Sequence, residues 1–144
     1  MNVPYFLSFI DRMNSRVGYD SAILLIRIAL AVVFIAHGYS KISNLAGTVA
    51  FFGNLGMPAV VAYLVAFGEF FGGISLLLGV GTLFFAPVLS IIMVGALYFV
   101  KSKFGTIGAF EFEFSLLMMS LAVAVSGPGS YSFALLLRTT FIRR

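Results

Sequence analysis

The sequence predicts an all-α integral membrane protein, a four-helix bundle with an amphipathic interfacial helix at its N-terminus. Hydrophobic residues make up 61% of the 144 positions and charged residues only 10%, whereas a soluble domain usually carries about 25% charged residues. Four apolar stretches each approach the ~20 residues that a helix needs to cross about 30 Å of hydrocarbon. None shows the apolar–polar alternation of a membrane β-strand. Lipid is therefore expected to be the main solvent of this chain.

Three segments follow one another along the chain: a leader of residues 1–20, a membrane domain of residues 21–134 and a basic tail of residues 135–144. In the leader, apolar side chains recur at spacings of three and four, namely Val3, Phe6, Ile10, Met13 and Val17. This spacing predicts an amphipathic helix that lies in the membrane interface. The net charge of +4 comes from basic residues at the ends of apolar runs. That placement favours anchoring at a lipid bilayer over binding to nucleic acid.

The membrane domain contains four predicted spans, at residues 22–42, 58–79, 83–100 and 110–126. Gly79 to Thr82 leave almost no loop, which predicts a tight antiparallel hairpin between the second and third spans. Residues 43–57 are predicted to form a short helix on the rim, and residues 101–109 a loop on the same side. The GPG sequence at 127–129 predicts the end of the fourth span.

Charged side chains inside the spans are the candidates for function. On a helical wheel of about 100° per residue, Arg27, His37 and Lys41 fall within one sector, which should face protein or water. The second span carries one charge, Glu69, beside the small-xxx-small pair Gly68-xxx-Gly72 that is typical of close helix contacts. A carboxylate at that depth costs about 2.5–3.5 kcal/mol on insertion scales. Glu69 should therefore be protonated or paired, with Arg27 as the favoured partner and His37 as the alternative.

The same residues have plainer interpretations. Three lysines at helix ends are typical of side chains that extend outward to the interface, namely Lys41, Lys101 and Lys103. Arg27 could serve structure alone, and His37 could be a hydrogen-bonded packing residue. Glu111 and Glu113 could simply complement the dipole at the start of the fourth helix.

Several motifs, in order, resemble the DoxX family of small four-helix membrane proteins. They are LLIRIALAVVFIAHGYSKI, FFGNLGMPAVVAYLVAFGEFFGGISLLLGVGT, FEFEFSLL and GPGSYS, and the match covers residues 22–134. The family's early arginine corresponds to Arg27. Its hG-x-x-K run corresponds to His37 and Lys41 with the glycine between them, and its E-x-x-G-G element begins at Glu69.

The resemblance is less complete toward the C-terminus. The family's helix-four glutamate corresponds to Glu111 or Glu113, of which Glu113 is favoured because it lies closer to the apolar SLLMM run. Family members often end GPG-x-x-S-x-D, whereas Ser132 is followed here by Phe133 and Ala134. The acidic group that would follow that serine is missing.

The resemblance implies a membrane subunit of a quinone-linked oxidoreductase or oxidative-stress redox complex. Such a protein would lie in the cytoplasmic (inner) membrane of a prokaryote, as a multi-pass chain, and the basic residues favour cytoplasmic termini. A quinone-like ligand would occupy an apolar cavity with a polar mouth. Glu69 and His37 would transfer protons, and the ligand-binding residues would be Arg27, His37, Lys41, Glu69 and Glu113.

The source of electrons must lie outside the recognised motifs. Cysteine is absent, and no metal-ligand spacing, flavin motif or dinucleotide-binding glycine pattern occurs in the chain, so thiolate and Fe–S chemistry are excluded within it. A protein partner carrying the redox centre, or the substrate itself, is expected to supply electrons, and a homo-oligomer is compatible with the pattern. The alternative is a non-enzymatic small-molecule carrier, an assembly factor or a membrane anchor for a soluble enzyme.

Overall fold

The computed structural model describes residues 15–101 and 107–136 of the chain. Within them, four long helices pack as a bundle with a short helix on the rim, and no strand is formed. The helices are α1 (Arg16–Ser43), α2 (Leu45–Asn54), α3 (Ala59–Leu78), α4 (Thr82–Gly95) and α5 (Ile107–Ser126). A π-helical segment, Ala96–Lys101, continues α4. The predicted all-α class is confirmed.

The long helices form a closed ring, in which α1 packs on α3, α3 on α4, α4 on α5 and α5 back on α1. By length and composition, Arg16–Ser43, Ala59–Leu78 and Thr82–Phe99 can each cross a membrane. The fourth helix, α5, has 20 residues. Large apolar side chains cover the outside of the bundle, as expected for a surface in contact with lipid.

The core lies where the long helices face one another. Its fully buried side chains come from all four of them and include Leu30, Phe34, Leu76, Leu89 and Val123. The bundle thus has a mostly apolar centre, and its two buried charges, Arg27 and Glu69, lie toward opposite ends.

The predicted interfacial helix of residues 1–20 falls mostly outside the described residues. Of this leader, residues 16–20 belong to α1, which begins before the predicted start at Ala22. Ser15 caps the helix, and its hydroxyl accepts a hydrogen bond from the Gly18 amide at 3.3 Å. Residues 102–106 of the predicted loop and residues 137–144 of the tail also lie outside the described part.

The predicted connections between helices are present where they are described. Gly79 and Gly81 have φ angles of 70° and 68°, in the left-handed region that glycine adopts without steric cost. They turn the chain between α3 and α4 as the tight hairpin predicted. The rim helix forms as α2, and the Asn44 side chain caps it by accepting a hydrogen bond from the Gly47 amide at 3.1 Å.

Small residues let α1 and α3 approach closely. A Cβ atom added at Gly38 would overlap the backbone of Phe70, and one added at Gly73 would lie 2.8 Å from the backbone nitrogen of Ile35. These contacts pair the end of α1 with the middle of α3 in an antiparallel arrangement. They place Glu69 beside the last two turns of α1.

The Gly68-xxx-Gly72 pair is a close-contact face, as predicted, and its partner is α4. A Cβ at Gly68 would lie 3.2 Å from Ile92, and a Cβ at Gly72 would lie 3.1 Å from Leu89. Both distances are shorter than ordinary van der Waals contacts between carbon atoms. The glycines therefore seal the α3–α4 side of the bundle.

Candidate functional site

Glu69 forms a buried ion pair with Lys41. Glu69 is only 3% exposed, and its Oε2 atom accepts a hydrogen bond from the Lys41 ammonium group. The Cα–Cβ bond of a helical residue tilts toward the helix N-terminus. Because α1 ends where α3 begins, this tilt directs Lys41 inward, down to the level of Glu69.

Two expectations about these charges are therefore wrong. The partner of Glu69 is Lys41 rather than Arg27. Lys41 also does not extend outward to the interface, since its ammonium group turns into the bundle. His37 lies one turn before Lys41 on α1.

Arg27 lies toward the other end of the bundle and is 1% exposed. Its Nε donates to the carbonyl of Leu76 at 2.8 Å, and its Nη2 donates to the carbonyl of Leu77 at 3.1 Å. Its Nη1 donates to the carbonyls of Pro128 and Tyr131 at 2.7 and 2.9 Å. Arg27 thus joins the end of α3 to the loop after α5.

The acceptors explain why an arginine can be buried there without a carboxylate. The last carbonyls of a helix have no intrahelical partner and form the negative end of its dipole. The planar guanidinium group presents five N–H donors in a fixed fork, which suits several carbonyls at once. The Ser130 amide also donates to Asp20 Oδ1 at 2.9 Å. Arg27 and Asp20 therefore hold the loop of residues 127–131 against α1.

A cavity of about 380 Å³ lies at the opposite end, between the end of α1 and the start of α3. Most of its lining is apolar and comes from α1, α2, α3, α4, α5 and the π-helical segment. Four polar side chains line it, namely His37, Lys41, Glu69 and Glu113. Of the five predicted ligand-binding residues, these four share one cavity and Arg27 does not.

His37 and Glu113 approach the cavity from α1 and α5. The His37 ring lies against the Phe112 ring, with 6.0 Å between centroids and a tilt of 36°. Glu113 lines the cavity, whereas Glu111 is exposed and is not part of the lining. The geometry thus distinguishes the two glutamates that the sequence left as alternatives.

One wall of the cavity was missed by reasoning from the sequence. It comes from α2 and the turn after it, with Phe51, Phe52, Leu55 and Met57 among the lining residues. Phe52 is buried, at 8% exposure. The signal was present in the apolar FFGNLGM run, which is unusually hydrophobic for a connection between helices. A rim helix with such side chains covers a cavity rather than merely joining two spans.

The family profile of DoxX matches residues 22–102, which is more than half of the chain. The chain belongs to the DoxX family. The matched region contains Arg27, His37, Lys41 and Glu69. It ends before α5, so Glu113 and the closing glycine loop lie outside it.

Two curated proteins resemble this DoxX protein. One, named "Putative oxidoreductase CatD", from Bacillus subtilis (strain 168), is 33% identical over 94 residues, covering 65% of this chain and 70% of that protein. Another, "Inner membrane protein YqjF" from Escherichia coli (strain K12), is 37% identical over 60 residues, covering 42% of this chain and 46% of that protein. No solved structure matches this chain significantly.

The site of this DoxX protein combines three chemical properties. Its apolar lining suits a ring or an acyl chain, its ammonium and imidazole groups can donate hydrogen bonds, and its carboxylates can hold a proton. Among the described residues, no three His, Asp or Glu side chains gather closely enough to hold a metal ion. The arrangement is therefore one of hydrogen-bond donors and proton-carrying groups inside an apolar cavity.

Proposed function

We propose that this DoxX protein is a membrane subunit of a quinone-linked redox system, and that its cavity binds the head of a quinone-like ligand. The observation that carries the proposal is the Lys41–Glu69 ion pair in the wall of a mostly apolar cavity. A buried pair of this kind is costly in a membrane and is retained where it has a task. The name of the Bacillus subtilis relative, an oxidoreductase, supports the redox assignment.

The residues present fit a quinone head. Its flat ring is apolar, and its carbonyl oxygens are hydrogen-bond acceptors. Lys41 has three N–H donors, of which one points to Glu69, and His37, one turn earlier on the same helix, offers a ring N–H at the same cavity. The cavity volume of about 380 Å³ lies in the range of roughly 300–1,000 Å³ that is usual for small-molecule sites.

The chain's own groups supply protons rather than electrons. A bound quinone would provide the electron-accepting chemistry. His37 is exposed and lines the cavity, and an imidazole can both donate and accept a hydrogen bond. Glu69 holds the buried end of the pair, so Lys41, Glu69 and His37 together can move a proton to a carbonyl oxygen of the ligand. Electrons are expected from a protein partner or from the substrate, because the chain has no cysteine and no recognised flavin or metal-ligand motif.

Quinone retention in lipid nanodiscs tests the proposal. We expect mass spectrometry to find bound quinone with the unaltered protein and about tenfold less with Lys41→Met, since a hydrogen bond to a charged group contributes about 1.5–3 kcal/mol. Glu111→Gln is the matched control, because Glu111 is exposed and does not line the cavity. Quinone at the level of empty nanodiscs in every sample contradicts the proposal. Retention of another apolar molecule instead supports the carrier alternative.

We further propose an inner-membrane location with both termini in the cytoplasm, which places the cavity end on the outer side. The name of the Escherichia coli relative supports the membrane assigned. In this cysteine-free chain, single cysteines at the exposed residues Val80 and Ser43 should react from opposite sides. We expect a membrane-impermeant maleimide, added to intact spheroplasts, to label Ser43→Cys and spare Val80→Cys. The reverse pattern overturns the orientation, and labelling of both from one side overturns the topology.

A further inference from the structure

We propose that the ligand reaches the cavity sideways from the bilayer, through a portal between α1 and α5 that His37 and Phe112 close. The ligand class is then an amphipathic lipid, with a polar head at Lys41 and Glu69 and a long apolar tail that remains among the acyl chains. This inference rests on the proposed function of the cavity. It adds the direction of access and the form of the ligand.

One seam in the ring of helices is weaker than the others. The contact between α1 and α5 is the least extensive of the four. Near the Arg27 end, the loop after α5 is tied to α1 through Arg27 and Asp20. At the cavity end, the His37 and Phe112 rings meet across the seam with 6.0 Å between their centroids. Both residues line the cavity.

The residues of this seam are also exposed on the outside of the bundle. Phe112 is 47% exposed, and His37 is exposed as well. Phe99, which belongs to the π-helical segment and not to this seam, also lines the cavity and is 42% exposed. A cavity-lining ring that is nearly half exposed on the side of a membrane bundle contacts both the cavity and the surrounding lipid.

The two rings of the seam lie at a shallow depth in the membrane. α5 has 20 residues, so it is about 30 Å long and matches the hydrocarbon thickness. Phe112 lies about 7.5 Å inside the start of α5, and His37 lies about 9 Å before the end of α1. A head at the cavity and a tail through the seam would therefore sit at the natural depth of an amphipathic lipid.

Two other sides of the cavity are closed by packing. Gly68 and Gly72 bring α3 against Ile92 and Leu89 of α4. On the rim, α2 inserts the buried Phe52. At the α1–α5 seam, two rings rather than close backbone packing separate the cavity from lipid.

Tryptophan fluorescence can test the portal, because the chain contains no tryptophan. Phe112→Trp places a reporter in the seam. Phe110→Trp and Phe114→Trp are matched controls, since these residues lie on the same helix with 47% and 42% exposure and do not line the cavity. Each variant is reconstituted in vesicles with acyl chains brominated near the headgroup, and a long-tailed quinone is then titrated into the membrane. Phe99→Trp is a second reporter at the same cavity if Phe112→Trp does not fold.

We expect brominated lipid to quench the tryptophan fluorescence of Phe112→Trp and of the two controls to extents that agree within about twofold. The long-tailed quinone should quench Phe112→Trp saturably, with the controls quenched only in linear proportion to membrane quinone. Saturable quenching by quinone without quenching by brominated lipid overturns the portal and leaves the cavity function intact. Linear quenching of all three variants overturns both. A short-tailed quinone is titrated in the same way. If it saturates the quenching of Phe112→Trp at a membrane concentration equal to or lower than that of the long-tailed quinone, the assigned ligand class is overturned.

Discussion

The two ends of the bundle each bury a charge, and they do so in different ways. Arg27 is 1% exposed, and four backbone carbonyls accept its hydrogen bonds. Glu69 is 3% exposed, and its ion-pair partner is the side chain of Lys41, at the wall of a cavity. The Arg27 end is closed by backbone groups, whereas the Glu69 end keeps its polar atoms beside open space.

The difference separates structure from function within one small fold. Backbone carbonyls cannot be lost by substitution or ionised, so a cation bound to them acts as a fixed clamp. Lys41 has N–H donors beyond the one given to Glu69, so the pair can hold a ligand while remaining paired itself. Substitutions at the Arg27 end should therefore lower stability more than ligand binding. Substitutions at the Lys41 end should lower ligand binding more than stability.

The largest effect on stability is expected at Arg27. Arg27→Met leaves four carbonyls without their donor, and each buried acceptor left unsatisfied costs about 1–3 kcal/mol. The melting temperature in detergent should therefore fall further than for any other variant considered. Quinone retained per folded molecule should remain near that of the unaltered protein, because Arg27 does not line the cavity.

Two further variants sharpen the Arg27 prediction. Arg16→Met removes an exposed arginine from the same helix and should leave the melting temperature nearly unchanged. Arg27→Lys keeps the charge but lacks the planar fork of donors, so it should restore only part of the stability. If Arg27→Lys behaves like the unaltered protein, the charge alone matters and the clamp described above is wrong.

The next effect is expected where α1 meets α3 beside Glu69. Gly38→Ala inserts a Cβ into the backbone of Phe70, so the helices must separate, and overpacking of this kind costs about 1–3 kcal/mol. Gly53→Ala is the control, because nothing lies within 4 Å of a Cβ at that position. Thermal denaturation should show a loss for Gly38→Ala and none for Gly53→Ala. Equal melting temperatures would mean that α1 and α3 do not pack at this distance.

A double-mutant cycle should locate the partner of Glu69. We expect Lys41→Met and Glu69→Gln to couple by about 0.5–3 kcal/mol in stability, as residues in direct contact do. Arg27→Met and Glu69→Gln share no partner and should add to within about 0.5 kcal/mol. Coupling at Arg27 with additivity at Lys41 would reverse the assignment of the two ends.

Much of the fold follows from features that sequence patterns report directly. Apolar length predicts the spans, and the Gly-Val-Gly-Thr sequence at 79–82 predicts the hairpin, because both depend on local chemistry. A helical wheel groups Arg27, Lys41 and His37 in one sector of α1. It reports an angle around the helix, however, and says nothing about where a long side chain points along the axis.

That missing direction explains the wrong partner for Glu69. The tilt of Cα–Cβ bonds toward the helix N-terminus sends Arg27 toward the start of α1 and Lys41 toward the centre of the bundle. Applied to the sequence, this rule would have favoured Lys41 as the partner of Glu69. The acceptors of Arg27 were harder to foresee, because backbone carbonyls such as those of Leu76 and Pro128 leave no signature in residue types.

The smallest effect is expected at Asp20, which assists Arg27 in holding the loop after α5. Its carboxylate accepts a hydrogen bond from the Ser130 amide at 2.9 Å, but water can replace it because the side chain is only half-buried. Asp20→Ala should therefore lower the melting temperature less than Arg27→Met. It should selectively speed hydrogen exchange at the Ser130 amide. The Leu135 amide, which donates to the Ser132 carbonyl at 3.2 Å, provides the internal reference and should exchange at an unchanged rate.

Asp20→Asn keeps an acceptor oxygen, so its Ser130 amide should exchange more slowly than that of Asp20→Ala. If Ser130 exchanges at the same rate in all three proteins, Arg27 alone closes this end of the bundle.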